Sequence, residues 1–251
     1  MCPKGLITAI LGVLFLVSCR SDSPVLKNQN EGGLWGVWEG GDSVVILHQG
    51  HASFDCPCAS LSLVPIAEKL CSLGYTVYGF EMPHTIAADG TWDPHGPPIE
   101  QYYEPVLDLI DSLPEDTSIF MIGLSGGGWT TTVCTALSDR IIRGYSVAGD
   151  IPLDLREPDE MGDWEQVNLP WSYCELYAMA EGRLLHIFNQ FDPCCFAYSG
   201  TEEELGTPFA IDSTHQEHKI SEWALNYIID DMELAIVTCN LLQGNLLWDT
   251  P

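Results

Sequence analysis

Apolar and polar positions along this chain follow two alternating periods. Short apolar runs rich in β-branched and aromatic residues cover residues 43–48, 75–82, 118–124, 142–148, 184–190 and 208–211, and each reads as a strand. Between them, residues 61–72, 99–113, 127–137 and 220–237 carry apolar side chains three and four apart, the spacing of an amphipathic helix. Strands alternating with helices imply βαβ units: an α/β fold with a mainly parallel sheet and helices on both faces. Residues 34–38, with tryptophans at both 35 and 38, read as an early antiparallel edge strand. Two stretches fit neither period. Residues 87–98 are rich in Gly, Pro, Asp and His, and residues 152–170 are acidic with proline at both ends. Each follows a strand on the side where parallel sheets place ligands, so both are expected as loops or lids.

The N-terminus breaks from this pattern. Lys4 precedes an apolar run, residues 6–17, that is too short to span a bilayer comfortably. The run ends in Leu16-Val17-Ser18-Cys19, which resembles the bacterial lipobox, where the cysteine is lipidated and becomes the first mature residue. The expected organisation is a signal peptide over residues 1–18, lipidated Cys19 and a polar tether over 19–33, and one domain over 34–251. Arg20, rather than an aspartate, follows the cysteine. That points to an outer-membrane lipoprotein of the bacterial cell envelope, facing the periplasm or the exterior and held to the membrane through Cys19.

Composition narrows the function classes. A 251-residue chain that is 46% hydrophobic can bury one sizeable core. Its 9 Lys and Arg stand against 36 Asp and Glu, a net charge of -27. Such a charge excludes nucleic acid as a partner and argues against electrostatic attachment to anionic lipid. The acidic residues are scattered, as on a solvating surface. Export permits disulfides. Cys56, Cys58, Cys174, Cys194 and Cys195 fall in loops and are the expected bridge partners, whereas Cys71 and Cys134 fall on helices and are expected as buried thiols. The spacing of the cysteines does not match a structural zinc site, and no metal is expected.

The chemistry concentrates at Gly123-Leu124-Ser125-Gly126-Gly127, where an apolar strand passes through G-x-S-x-G into a helix. This is the sequence form of a nucleophile elbow, a sharp turn that lifts a serine Oγ above the end of a sheet. A serine hydroxyl needs a base to take its proton, and the base needs a carboxylate to fix its tautomer. Asp192 follows the strand at 184–190 and is the expected acid, with Asp212 and Asp150 as rivals. Two histidines, His215 and His218, precede the last helix. His218 lies directly before Ile220-Ser221, a pair suited to opening that helix, and is the expected base, with His215 the alternative. The oxyanion requires two backbone donors. Gly126 supplies the first, and His51, in the His48-Gln49-Gly50-His51 turn, is the candidate for the second.

Taken together, the His48–His51 turn, the elbow at Ser125, Asp192 and His218-Lys219-Ile220-Ser221 resemble the α/β-hydrolase superfamily over residues 43–237. The nearest group is the dienelactone-hydrolase and acetyl-esterase branch. The resemblance implies an α/β-hydrolase fold and a cofactor-free serine hydrolase that cleaves carboxylic esters through an acyl-enzyme. The substrate class is a small-molecule or polymer-linked ester. The elbow specifies the nucleophile and leaves the leaving group open, so a serine peptidase or amidase is the enzymatic alternative. A non-catalytic hydrolase-fold protein acting as an envelope binding module is the alternative from another class.

Overall fold

The computed structural model describes residues 20–21, 33–51, 63–83, 97–156, 164–193 and 197–242. The expected signal peptide, Cys19, the loop cysteines Cys56, Cys58, Cys194 and Cys195, and most of the 87–98 loop lie outside these residues.

Apart from β1, which falls in the expected tether, the strands form within a residue or two of where their apolar runs predict. They are β1 (Arg20–Ser21), β2 (Gly33–Glu39), β3 (Val44–Gln49), β4 (Thr76–Glu81), β5 (Ile119–Leu124), β6 (Ile141–Val147), β7 (Leu184–Asn189) and β8 (Phe209–Asp212). They make one eight-stranded sheet in the order β1-β2-β4-β3-β5-β6-β7-β8. From β4 to β8 every neighbouring pair is parallel. The early strand β2 runs antiparallel to β4, as expected, but it is not wholly an edge: β1, from the stretch expected to be tether, pairs with Trp38 and Glu39.

The long helices are α1 (Val64–Ser72), α2 (Glu104–Ser112), α3 (Gly126–Leu137) and α7 (Glu222–Leu242). The expected 99–113 helix is split, with a 3-10 turn over Ile99–Tyr102 preceding α2. Pro105 causes the break, because it lacks an N–H and its ring opposes the carbonyl four residues back, yet it suits a helix start. Three short helices escape the apolar-period reading: α4 (Trp164–Val167), α5 (Tyr173–Met179) and α6 (Glu202–Leu205). Two of them open with capping boxes, Ser172 with Glu175 and Thr201 with Glu204. That S/T-x-x-E signature satisfies orphan amides locally and nucleates a turn without a long apolar face.

Successive strand side chains point to opposite faces of the sheet. Val44 and Ile46 therefore join the core beneath α2, α3 and α5, while Val45 and Leu47 join the core beneath α1 and α7. Every residue of β3, β5 and β7 is buried, which is why their sequences are mostly apolar rather than alternating, with polar residues such as His48 and Asn189 near their carboxyl ends. Among the described residues no helix is long and apolar enough to cross a membrane.

The cysteines depart from expectation at two positions. Cys134 is a buried free thiol, as predicted, but Cys174 is free and exposed rather than bridged. Cys71, expected to be a buried thiol, is disulfide-bonded.

Candidate active site

Strand β3 lies between β4 and β5, so the segments leaving β3 and β5 depart toward opposite sides of the sheet. Open α/β sheets bind ligands at such a switch point, outside the carboxyl ends of the strands. The His48–His51 turn and Ser125 both fall there.

Ser125 occupies φ 57° and ψ -131°, a conformation that an L-residue keeps only when its surroundings impose it. They do so here. The Ser125 amide donates to Val147 O at 2.9 Å, and its carbonyl accepts from the amides of Gly128 at 2.7 Å and Trp129 at 3.1 Å. A Cβ on Gly123 would collide with the carbonyl of Gly127, and one on Gly127 with that of His48. The turn closes because both positions are glycine. Helix α3 then starts directly after the serine, so its first amides, Gly126 included, have no carbonyl within the helix to bond. Two of its polar residues are absorbed locally: Thr130 and Thr131 donate to the carbonyls of Gly126 and Gly127.

The oxyanion turn presses against this elbow. A Cβ on Gly50 would lie 2.7 Å from the Gly126 nitrogen and 2.8 Å from Ser125 Cβ. The ring of His51 meets Gly126 from another side, with Cε1 and Nδ1 each 3.0 Å from the point where a Gly126 Cβ would stand. The two expected oxyanion donors are thus neighbours. His48, by contrast, points into the core. It is buried, its Nδ1 lies 2.8 Å from Gln49 O and its ring stacks on Phe80. Burial lowers its pKa to about 4, so it is a neutral strand-end histidine.

On the neighbouring side of the site, His218 Nδ1 meets Asp192 Oδ2 at 2.7 Å. The Asp192 side chain has no exposure and the His218 side chain 21%. The Nε2 of His218 is buried and has no hydrogen-bond partner among the described residues, leaving it available to a hydroxyl. Asn189, at the end of β7, clamps this pair. Its amide nitrogen approaches Asp192 Oδ2 at 3.4 Å and donates to Lys219 O at 3.1 Å, tying the acid's turn to the histidine's loop.

The other candidates fall elsewhere. His215 Nδ1 lies 3.1 Å from Asp212 Oδ2 rather than near Asp192. Asp212 also accepts hydrogen bonds from Thr214 and Ser221, and these hold its pKa down against the opposing effect of burial. That cluster organises the loop before α7. Asp150 is fully buried and accepts from Thr132 at 2.8 Å, Ser146 at 2.9 Å and Tyr177 at 2.9 Å. Its oxygens are occupied in the core under α3.

Residues 157–163 of the 152–170 stretch lie outside the described residues, and Glu165 of the remainder reaches His51. The stretch carries a 3-10 turn over Leu153–Leu155 and α4, and a cleft of about 500 Å³ opens there between Leu153, Gln166, Leu169, Trp171 and Tyr173. Trp129 is completely buried with its ring 6.0 Å from Tyr102, and Trp164 stacks on the same tyrosine. Two residues of the site carried no signal in the sequence. Asn189 is one polar residue ending an apolar strand. Glu165 is one acidic residue among many, yet it is fully buried beside His51, with Oε1 3.4 Å from Nε2.

No protein-family model matches this sequence, and no curated protein matches it. Solved structures do. Est1E from Butyrivibrio proteoclasticus has a TM-score of 0.55 at 14% identity, over 80% of this chain and 94% of that protein. The α/β hydrolase GrgF from Penicillium sp. sh18 has a TM-score of 0.55 at 15% identity, over 80% and 94%. A structure described under LipS and LipT, two metagenome-derived lipolytic enzymes, has a TM-score of 0.51 at 15% identity, over 82% and 98%. At these identities the likeness speaks to the fold alone: this chain has the α/β-hydrolase fold. The likeness does not reach the dienelactone-hydrolase and acetyl-esterase branch.

Proposed function

We propose that this protein is a serine hydrolase that cleaves carboxylic esters, with Ser125 as nucleophile, His218 as general base and then acid, and Asp192 as the group that orients it. Two observations support this reading: the Asp192–His218 pair at 2.7 Å, and a serine held at φ 57° at the carboxyl end of β5. Asp192 accepts from Nδ1–H, which leaves Nε2 as the basic nitrogen that takes the Ser125 proton. Ser125 Oγ attacks the acyl carbon, and the carbonyl oxygen becomes an anion held by the amides of Gly126 and His51. His218 then returns the proton to the departing alcohol. Water, activated by the same nitrogen, releases the acid and restores the serine.

The test is labelling with a fluorophosphonate probe, followed by turnover of aryl esters of graded chain length. The expected result is stoichiometric labelling of wild type, none of Ser125→Ala, and loss of kcat on the order of 10⁴-fold or more in that variant. A Ser125→Ala protein that still labels and turns over esters refutes the assignment. Export and lipidation at Cys19 are part of the same proposal. Wild type should partition into detergent with the membrane fraction, and Cys19→Ala should accumulate as precursor. Wild-type protein found wholly in the soluble fraction would remove the anchor.

A further inference from the structure

Glu165 is a fully buried carboxylate that the hydrolytic reading leaves unused. It sits on α4, and among the described residues neither of its oxygens has a hydrogen-bond partner. Its ion pair is with His51, Nε2 to Oε1 at 3.4 Å, and the His51 side chain keeps 18% exposure. A carboxylate withdrawn from water needs a compensating partner. His51 is a cationic partner within 4 Å of it. The adjoining atoms of the same ring, Cε1 and Nδ1, face the elbow at 3.0 Å from the Cβ position of Gly126. The imidazole therefore packs against both a buried carboxylate and the elbow residue whose amide is the expected oxyanion donor.

We propose that His51 is a catalytic residue through its side chain as well as its amide: Glu165 holds the ring as an imidazolium, and its Nδ1–H donates a third hydrogen bond to the oxygen of the tetrahedral intermediate. Glu165 is then a positioning residue acting through His51. The proposal rests on the hydrolytic reading above. No proton changes hands at His51; the donor strengthens its bond as negative charge develops and relaxes as the acyl-enzyme forms. A charged donor is roughly twice as strong as a neutral one, and it is stronger still where water is excluded. The site would thus hold two histidine–carboxylate pairs set for opposite tasks. His218 must be neutral to take a proton, whereas His51 must be charged to offer a hydrogen bond.

Because the backbone amide survives any side-chain change, substituting His51 reads out the ring alone. The experiment compares wild type with His51→Ala, His51→Gln, Glu165→Gln and the double variant His51→Ala/Glu165→Gln, using an aryl acetate and a trifluoromethyl ketone that forms a tetrahedral adduct on Ser125. His51→Ala and Glu165→Gln should each lower kcat about 10²-fold with KM within about twofold, the signature of a bond made only in the transition state. Ketone affinity should fall by the same factor. His51→Gln, which keeps a neutral N–H of similar reach, should recover about tenfold over His51→Ala. The double variant should be no worse than His51→Ala, since the two residues act as one unit. Wild-type kcat in His51→Ala overturns the proposal, and wild-type kcat in Glu165→Gln removes Glu165 from it. A rise in KM with unchanged ketone affinity also overturns it, because that reports a distorted pocket. If His51→Ala does not fold, His51→Gln and Glu165→Gln carry the same comparison. A wild-type enzyme that neither labels with fluorophosphonate nor turns over esters instead refutes the hydrolytic reading, so the two failures are distinguishable.

Discussion

Replacing Ser125 by glycine should make the protein more stable while abolishing its activity. At φ 57° and ψ -131° the serine lies where its Cβ crowds the backbone, and such a residue costs about 1–3 kcal/mol. Glycine has no Cβ and adopts this conformation freely, but it gives up about 0.5–1 kcal/mol through the greater freedom of the unfolded chain. The difference leaves a net gain of up to about 2.5 kcal/mol. For a domain of this size that corresponds to a rise in Tm of up to about 10 °C. Ser125→Ala is the control, because alanine removes the hydroxyl and keeps the strain. The assay is urea unfolding and calorimetry of all three proteins in the same buffer, with ester turnover measured alongside. Glycine should stand above alanine in stability, and both should have lost kcat on the order of 10⁴-fold or more. If Ser125→Gly is no more stable than Ser125→Ala, the elbow does not store strain at this residue and the argument fails.

Three further outcomes are expected. His218→Ala should abolish ester turnover, whereas His215→Ala, whose ring pairs with Asp212, should lose tenfold or less; kinetics in the reverse order would move the base to His215. Asp192→Asn should cost about 10⁴-fold in kcat with the fold intact. Asp150→Asn should instead lower stability by about 2–4 kcal/mol while the folded fraction keeps its activity, since Asp150 is the shared acceptor of Thr132, Ser146 and Tyr177. The third outcome concerns His48. Its folded pKa is about 4 against 6.5 when unfolded, so the unfolded state takes up the extra proton between these values and stability falls as pH drops through that window. The contribution is about 3 kcal/mol, complete near pH 4. Chemical denaturation from pH 7 to pH 4 should show the gap between wild type and His48→Gln shrinking by that amount, and a constant gap refutes it.

The strand–helix alternation was legible because each strand here is short and apolar and the long helices keep three- and four-residue spacing. Pro105 and the capping boxes at Ser172 and Thr201 were equally local signals, and they mark where a reading by apolar period alone goes astray. The elbow was legible for a stronger reason. A serine at positive φ with a helix starting on the next residue needs glycine at fixed offsets, so the constraint is written in adjacent letters.

Chain order and position relative to strands were enough to propose Asp192 over Asp150 and Asp212, but only packing separated their environments. Asp150 is closed off by hydroxyls from α3, β6 and α5, elements that the sequence does not mark as neighbours. Asp212 is drawn into its own loop by Thr214 and Ser221, which leaves His215 with it and His218 with Asp192. Glu165 is the clearest case of what tertiary structure alone decides. Among 36 acidic residues nothing in its neighbours along the chain sets it apart, and its meaning comes from burial against His51, 114 positions earlier (165 minus 51). By itself the sequence determined the layered α/β architecture and the strained serine, because both depend on periodicity and on residues next to one another. The three-dimensional fold decided which carboxylate meets which histidine, because that depends on the low-dielectric surroundings and short distances created when distant segments converge.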